Sequence, residues 1–159
     1  MSMASPPATV AEIYIGAPPE RVWELVTDIV LMGDWSPEYD GGEWLDEASG
    51  AVVGARFRGR NSREGREWET VSTVIEAEPG RSFAWAVGDP SNVAATWRFD
   101  LTPEGSGTRV NQHVQLGPRW VSGRDPEVVA ERIDMHGVIW RQLLKVLSPP
   151  RTEQGDAQR

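Results

Sequence analysis

WRFDLTPEGSGTRVNQHVQL, Trp97 to Leu116, reads as two alternating runs around a turn. Glu104-Gly105-Ser106-Gly107 has hairpin composition, and no helix follows that would make its glycines a phosphate loop. In the first run Trp97, Phe99 and Leu101 share one parity. In the second, Val110, Val114 and Leu116 share one parity, and Arg109, Asn111, His113 and Gln115 take the other. A strand sends alternate side chains to opposite faces, so this is a hairpin with one apolar and one polar face. Such a hairpin belongs to an antiparallel sheet covered on one side. Gln112 is the exception, because it falls with the valines while His113 points out. An unpaired buried amide costs about 1–3 kcal/mol. Gln112 therefore bonds Ser72, Thr70 or a trapped water inside a closed core, or it orients a ligand.

Working outward, further strands are predicted near 9–16, 40–46, 53–61, 66–77, 81–88 and 93–102, with breaks rich in Gly, Pro, Ser or Asn. On 66–77 the inward set is Trp68, Thr70, Ser72 and Val74, with Val71, Thr73 and Ile75 as the competing register. Between the first two strands, APPERVWELVTDIVLMGDW carries prolines at a first turn and a stripe of Val22, Leu25, Val26 and Ile29, which predicts helix. Gly33 and Trp35-Ser36-Pro37 stop it. At the far end, residues 125–147 place Val129, Ile133, His136, Trp140, Leu143 and Leu147 on one helical face, after Asp125 as cap and Pro126 in the first turn. The layout is β–αα–β6–α. Residues 1–8 and 148–159 read as flexible ends around a single domain, 9–147.

Composition limits the function. The chain has 159 residues and a net charge of −8, which argues against nucleic acid or an anionic membrane as partner. It has no cysteine, and its two histidines lack metal-ligand spacing, so neither a metal nor another cofactor is expected. No stretch is long and apolar enough to insert into a membrane, and the start lacks the pattern of a signal peptide. A soluble cytoplasmic protein is the default expectation. Eight tryptophans imply a bulky core or an aromatic-lined hollow. Arg56, Arg58, Arg60, Arg63 and Arg66 form a basic strip after an acidic segment (Glu38, Asp40, Glu43, Asp46, Glu47). It is either a solvated outer face or a contact surface for an anion, a protein partner or a second copy.

The order of elements resembles the START-like or Bet v 1-like (SRPBCC) superfamily, and more narrowly its polyketide cyclase/dehydrase and lipid-transport group. The likeness is carried by IYIGAPPERVWELVTDIVLMGDWSPEY, GARFRGRN, VIEAEPGRSFAWAV and WRFDLTPEGSGTRVNQHVQL, roughly residues 9–116. It implies an α+β helix-grip fold: a curved seven-stranded antiparallel sheet around a long C-terminal helix, with two short helices after the first strand. It also implies a cavity for a hydrophobic or amphipathic small molecule, lipid- or polyketide-like. Relatives include carriers, aromatase/cyclases and chaperone regulators, so an enzyme or a filled-core interaction module stays open beside the binding reading.

Alternation then supplies the predicted lining: Phe57, Trp68, Thr70, Ser72, Phe83, Trp85, Trp97, Phe99 and Gln112 from the sheet, and His136 and Trp140 from the helix. Trp35 would sit at the mouth as lid, wall or structural staple. This mostly apolar list with a few polar groups suits a small-molecule pocket. His136 is a core histidine, a ligand donor or an acid–base catalyst. No other catalytic residue is indicated, since there is no nucleophile elbow and the inward strand positions lack Asp and Glu.

Overall fold

The computed structural model describes residues 8–30, 32, 39–122, 124 and 127. Seven strands form one antiparallel sheet: β1 Ala8–Ile15, β2 Tyr39–Trp44, β3 Arg56–Arg63, β4 Arg66–Glu78, β5 Ser82–Val87, β6 Ala95–Glu104 and β7 Gly107–Leu116. Their order is β1-β7-β6-β5-β4-β3-β2. Consecutive strands from β2 to β7 are neighbours, and β1 crosses over to pair with the last.

The predicted register on β4 holds. Ser72 and Val74 are buried while Ile75 is 45% exposed. A bulge between Val74 and Glu76 then shifts the alternation, so that Ala77 rejoins the inner face opposite Phe83. The third strand starts later than the predicted 53, because Val52 and Val53 stand in solvent and Gly54 turns the chain at φ 92°. The β3–β4 turn runs through Glu64 and Gly65, both in the left-handed region (φ 51° and 80°), which suits a tight hairpin.

Helix α1, Pro19–Val26, has Pro18 and Pro19 at its start, as predicted, and buries Val22 and Val26. It ends sooner than the apolar stripe suggests. The Thr27 hydroxyl donates to the Trp23 carbonyl (2.8 Å), and the Asp28 carboxylate accepts from the Val30 N–H (3.2 Å), so local side-chain bonds close one element and open the next turn. Two bonds fix α1 and the residues leading into it to the sheet: Trp23 Nε1 donates to the Ser82 carbonyl (2.9 Å), and the Thr108 hydroxyl to the Ala17 carbonyl (2.7 Å). A single-turn helix, α2 Pro118–Val121, lies in the link after β7. Apart from Glu127, and from Ala8, which opens β1, the long C-terminal helix predicted over 125–147, both predicted flexible ends and the end of the predicted helical pair fall outside the described residues.

The core lies on the inner face, under α1. Phe83, Phe99, Val110, Val114 and Ile29 are almost wholly buried. The other face is charged.

Candidate functional site

The inner face places the predicted sheet residues in register. Trp85 lies opposite Val74 and Trp97, Phe99 lies between Phe83 and Gln112, and Phe57 pairs with Ser72. Their rings form a continuous row. Trp44 meets Phe57 edge-on at 5.4 Å, Phe57 meets Trp85 at 6.0 Å, Phe83 and Phe99 flank Trp85, and Trp85 stacks with Trp97 at 6.1 Å with 12° between planes. Such offset and edge contacts follow the ring quadrupole and stabilise beyond their area.

Gln112 stands at the β7 end of this row. It is fully buried, and neither its Nε2 nor its Oε1 has a hydrogen-bond partner among the described residues. Strand order removes one expected explanation. Ser72 is on β4, three strand spacings from β7, or roughly 14 Å at about 4.8 Å per step, and Thr70 is farther along the same strand. The expected bond from Gln112 to Ser72 or Thr70 is therefore ruled out. Alternation alone could not have excluded it, because parity fixes the face and says nothing of which strands adjoin.

Thr70 and Trp68 are half-buried, toward the end of the sheet where β4 extends beyond β5. His113 is on the outer face, as predicted. Trp35, His136 and Trp140 lie outside the described residues. Trp120 packs with Ala95 and Leu116 in a small satellite cluster, and the Arg124 guanidinium lies 4.3 Å from its ring centroid.

Tyr39 escaped the sequence reading. Its ring lies over two glycines: a Cβ on Gly59 would stand 2.8 Å from Tyr39 Cε1, and one on Gly42 would meet the Tyr39 hydroxyl and the Arg58 carbonyl. The hydroxyl donates to the Ile29 carbonyl (2.7 Å), and burial pushes the phenol well above its ordinary pKa. The two glycines, in YDGGEW and FRGRN, were the available signal.

Two of the five arginines of the basic strip, Arg56 and Arg58, face carboxylates of the acidic segment before it, because the β2–β3 hairpin brings the two side by side. Asp46 accepts from Arg56 (2.6 Å), and Arg58 faces Glu43 (3.3 Å) and Glu69 (3.8 Å). The same pattern continues across the outer face, where Arg98 holds Glu76 and Asp100, and Arg109 holds Glu12 and Glu104.

An open cleft of about 480 Å³ adjoins the loop after β5. Arg56, Glu69, Asp89 and Arg119 are among its walls, and of the predicted lining it touches only Thr70. Its charged, exposed character separates it from the aromatic row. Among the described residues no group of His, Asp or Glu is arranged to hold a metal, and no helix is long and apolar enough to cross a membrane.

A polyketide-cyclase-like protein of Corynebacterium glutamicum, known from its solution structure, is 31% identical to this chain. The match covers 98% of this chain and 96% of that one, with a TM-score of 0.64. Two more distant structures share the fold. Ara h 8.0201 is 11% identical over 88% of this chain and 96% of its own, with a TM-score of 0.65. The di-domain aromatase/cyclase BexL is 16% identical over 89% of this chain and 45% of its own, with a TM-score of 0.66. A search of curated protein sequences found no match. The family model described as polyketide cyclase/dehydrase and lipid transport matches residues 7–135, and the chain belongs to that family.

Proposed function

We propose that this protein binds a hydrophobic or amphipathic small molecule on the inner face of its sheet, against the row that runs from Phe57 through Trp85 and Trp97 to Phe99. The observation that carries the reading is the fully buried Gln112 carboxamide at the end of the aromatic row, with no hydrogen-bond partner among the described residues. A buried polar group left so is unusual and calls for a partner. An apolar wall with one or two polar groups is also how small-molecule sites are built. Membership of a family that includes lipid transport in its description is consistent with this.

Binding is favoured over catalysis because the described inner-face positions carry no carboxylate, histidine or lysine between the Phe57 and Val110 rows. Tyr39, the phenol on that face, stays protonated and donates to a carbonyl. Acid–base chemistry needs a group that titrates near the working pH. Of the five arginines the surface-module reading draws on, Arg56 and Arg58 already face carboxylates of the same chain, which leaves less charge for a partner.

Native mass spectrometry of the purified full chain tests the proposal, followed by denaturation and identification of what is released. A released apolar molecule at a stoichiometry near one supports it. A clean mass, together with no heat on titration of lipids or aromatic compounds, overturns it.

A further inference from the structure

We infer that the preferred ligand is uncharged and flat, with a hydrogen-bond donor and an acceptor side by side on one edge that seat against the Gln112 carboxamide. The inference rests on the binding reading above and specifies its chemistry.

The first argument is the carboxamide itself. It presents an N–H donor and a carbonyl acceptor side by side, and here both are buried and without a partner among the described residues. A ligand with a lone carbonyl or a lone hydroxyl would satisfy one and leave the other orphaned. A cyclic amide, a protonated carboxylic acid or a hydroxy-ketone edge answers both at once.

The second argument is charge. Among the described residues, the arginines on the strands around Gln112 belong to the opposite face, where carboxylates hold them: Arg98 by Glu76 and Asp100, and Arg109 by Glu12 and Glu104. An anionic headgroup placed beside Gln112 would meet no counter-charge from the described sheet, and an unpaired buried ion is strongly disfavoured. This separates the proposed ligand from a fatty-acid anion.

The third argument is shape. Phe99 is the cross-strand neighbour of Gln112 and is itself flanked by Phe83 and Trp85. The surface next to the amide is thus made of rings, which a planar partner can match by offset or edge contact.

Isothermal titration of the full chain with four probes tests this: 2-quinolone, N-methyl-2-quinolone, naphthalene and palmitate. 2-Quinolone pairs a ring N–H with the adjacent carbonyl, its N-methyl form lacks the donor, naphthalene lacks both, and palmitate is anionic. The expected result is that 2-quinolone binds at least tenfold more tightly than each of the others. In Gln112→Leu that preference should fall to within about threefold of naphthalene, and the urea midpoint of the ligand-free protein should rise because an orphaned polar group is gone. Equal affinity for 2-quinolone and its N-methyl form, or a preference for palmitate, overturns the inference while leaving the binding reading standing. A lower urea midpoint for Gln112→Leu also overturns it, by showing that the carboxamide has a partner within the protein. Should that variant fail to fold, the two quinolones compared on the unmodified protein decide the point. No heat with any probe and no co-purified molecule would remove the binding reading itself.

Discussion

Tyr39 occupies its place because Gly42 and Gly59 have no side chains. A methyl group on Gly59 would stand 2.8 Å from the Tyr39 ring and 3.2 Å from the Thr70 hydroxyl, so the ring must shift. Gly59→Ala is expected to destabilise by about 1–3 kcal/mol, the usual range for overpacking. Combining it with Tyr39→Ala should cost less than the sum of the two, since the clash disappears with the ring; urea denaturation of the four proteins measures the coupling. At Phe99, almost wholly buried among Phe83, Trp85 and Gln112, truncation leaves a cavity. Phe99→Ala should lower stability by about 3–5 kcal/mol.

At the level of elements, the β2–β3 connection carries strain. Asp46 and Glu47 are both left-handed, at φ 53° and 64°, in a turn closed by the Ala48 N–H to the Leu45 carbonyl (3.0 Å). Asp46 also holds Arg56 and so has a second role, whereas Glu47 makes no side-chain bond among the described residues. Glu47→Gly is expected to raise the melting temperature by the equivalent of up to about 1 kcal/mol, the left-handed penalty less the greater chain entropy of glycine. On the outer face, the Arg98 guanidinium holds the Glu76 carboxyl below its ordinary pKa of 4.5. A lowered carboxyl pKa stabilises the fold above the unfolded value, and that part is lost as pH falls through the folded value. Arg98→Gln should therefore lower stability at pH 7 by less than about 1 kcal/mol, because these side chains are more than a third exposed. The gap to the unmodified protein should close below about pH 4.5, as thermal melts at pH 7, 4 and 3 would show. Arg58→Glu would set a third carboxylate between Glu43 and Glu69 and should lower the melting temperature through like-charge repulsion.

For the molecule as a whole, the first strand pairs with the last, and the Thr108–Ala17 bond spans 91 residues. Long-range pairing is slow to form, so refolding by stopped flow is expected in milliseconds to seconds. Period-two alternation made the seven strands and the inner parity of Gln112 and Ser72 readable, because burial of one face imposes that rhythm on the side chains. Alternation records the face a side chain takes and leaves open which strands adjoin, and the pairing of β1 with β7 spans nearly the whole sheet. For that reason Gln112 could be assigned a face before it could be separated from Ser72, and the Arg56–Asp46 pair emerged only with the β2–β3 register. The early end of α1 hid behind its apolar stripe, since Ile29 is buried whether or not the helix continues to it. The bulge at Val74 likewise shows no local signal in VSTVIEAE. The stacked pair of Trp85 and Trp97 has a further consequence. Two indoles 6.1 Å apart and nearly parallel couple their electronic transitions, so the folded sheet should show an exciton couplet in its far-ultraviolet circular dichroism. Trp97→Phe would abolish that couplet, and the assembly of β5 against β6 could then be followed without any added label.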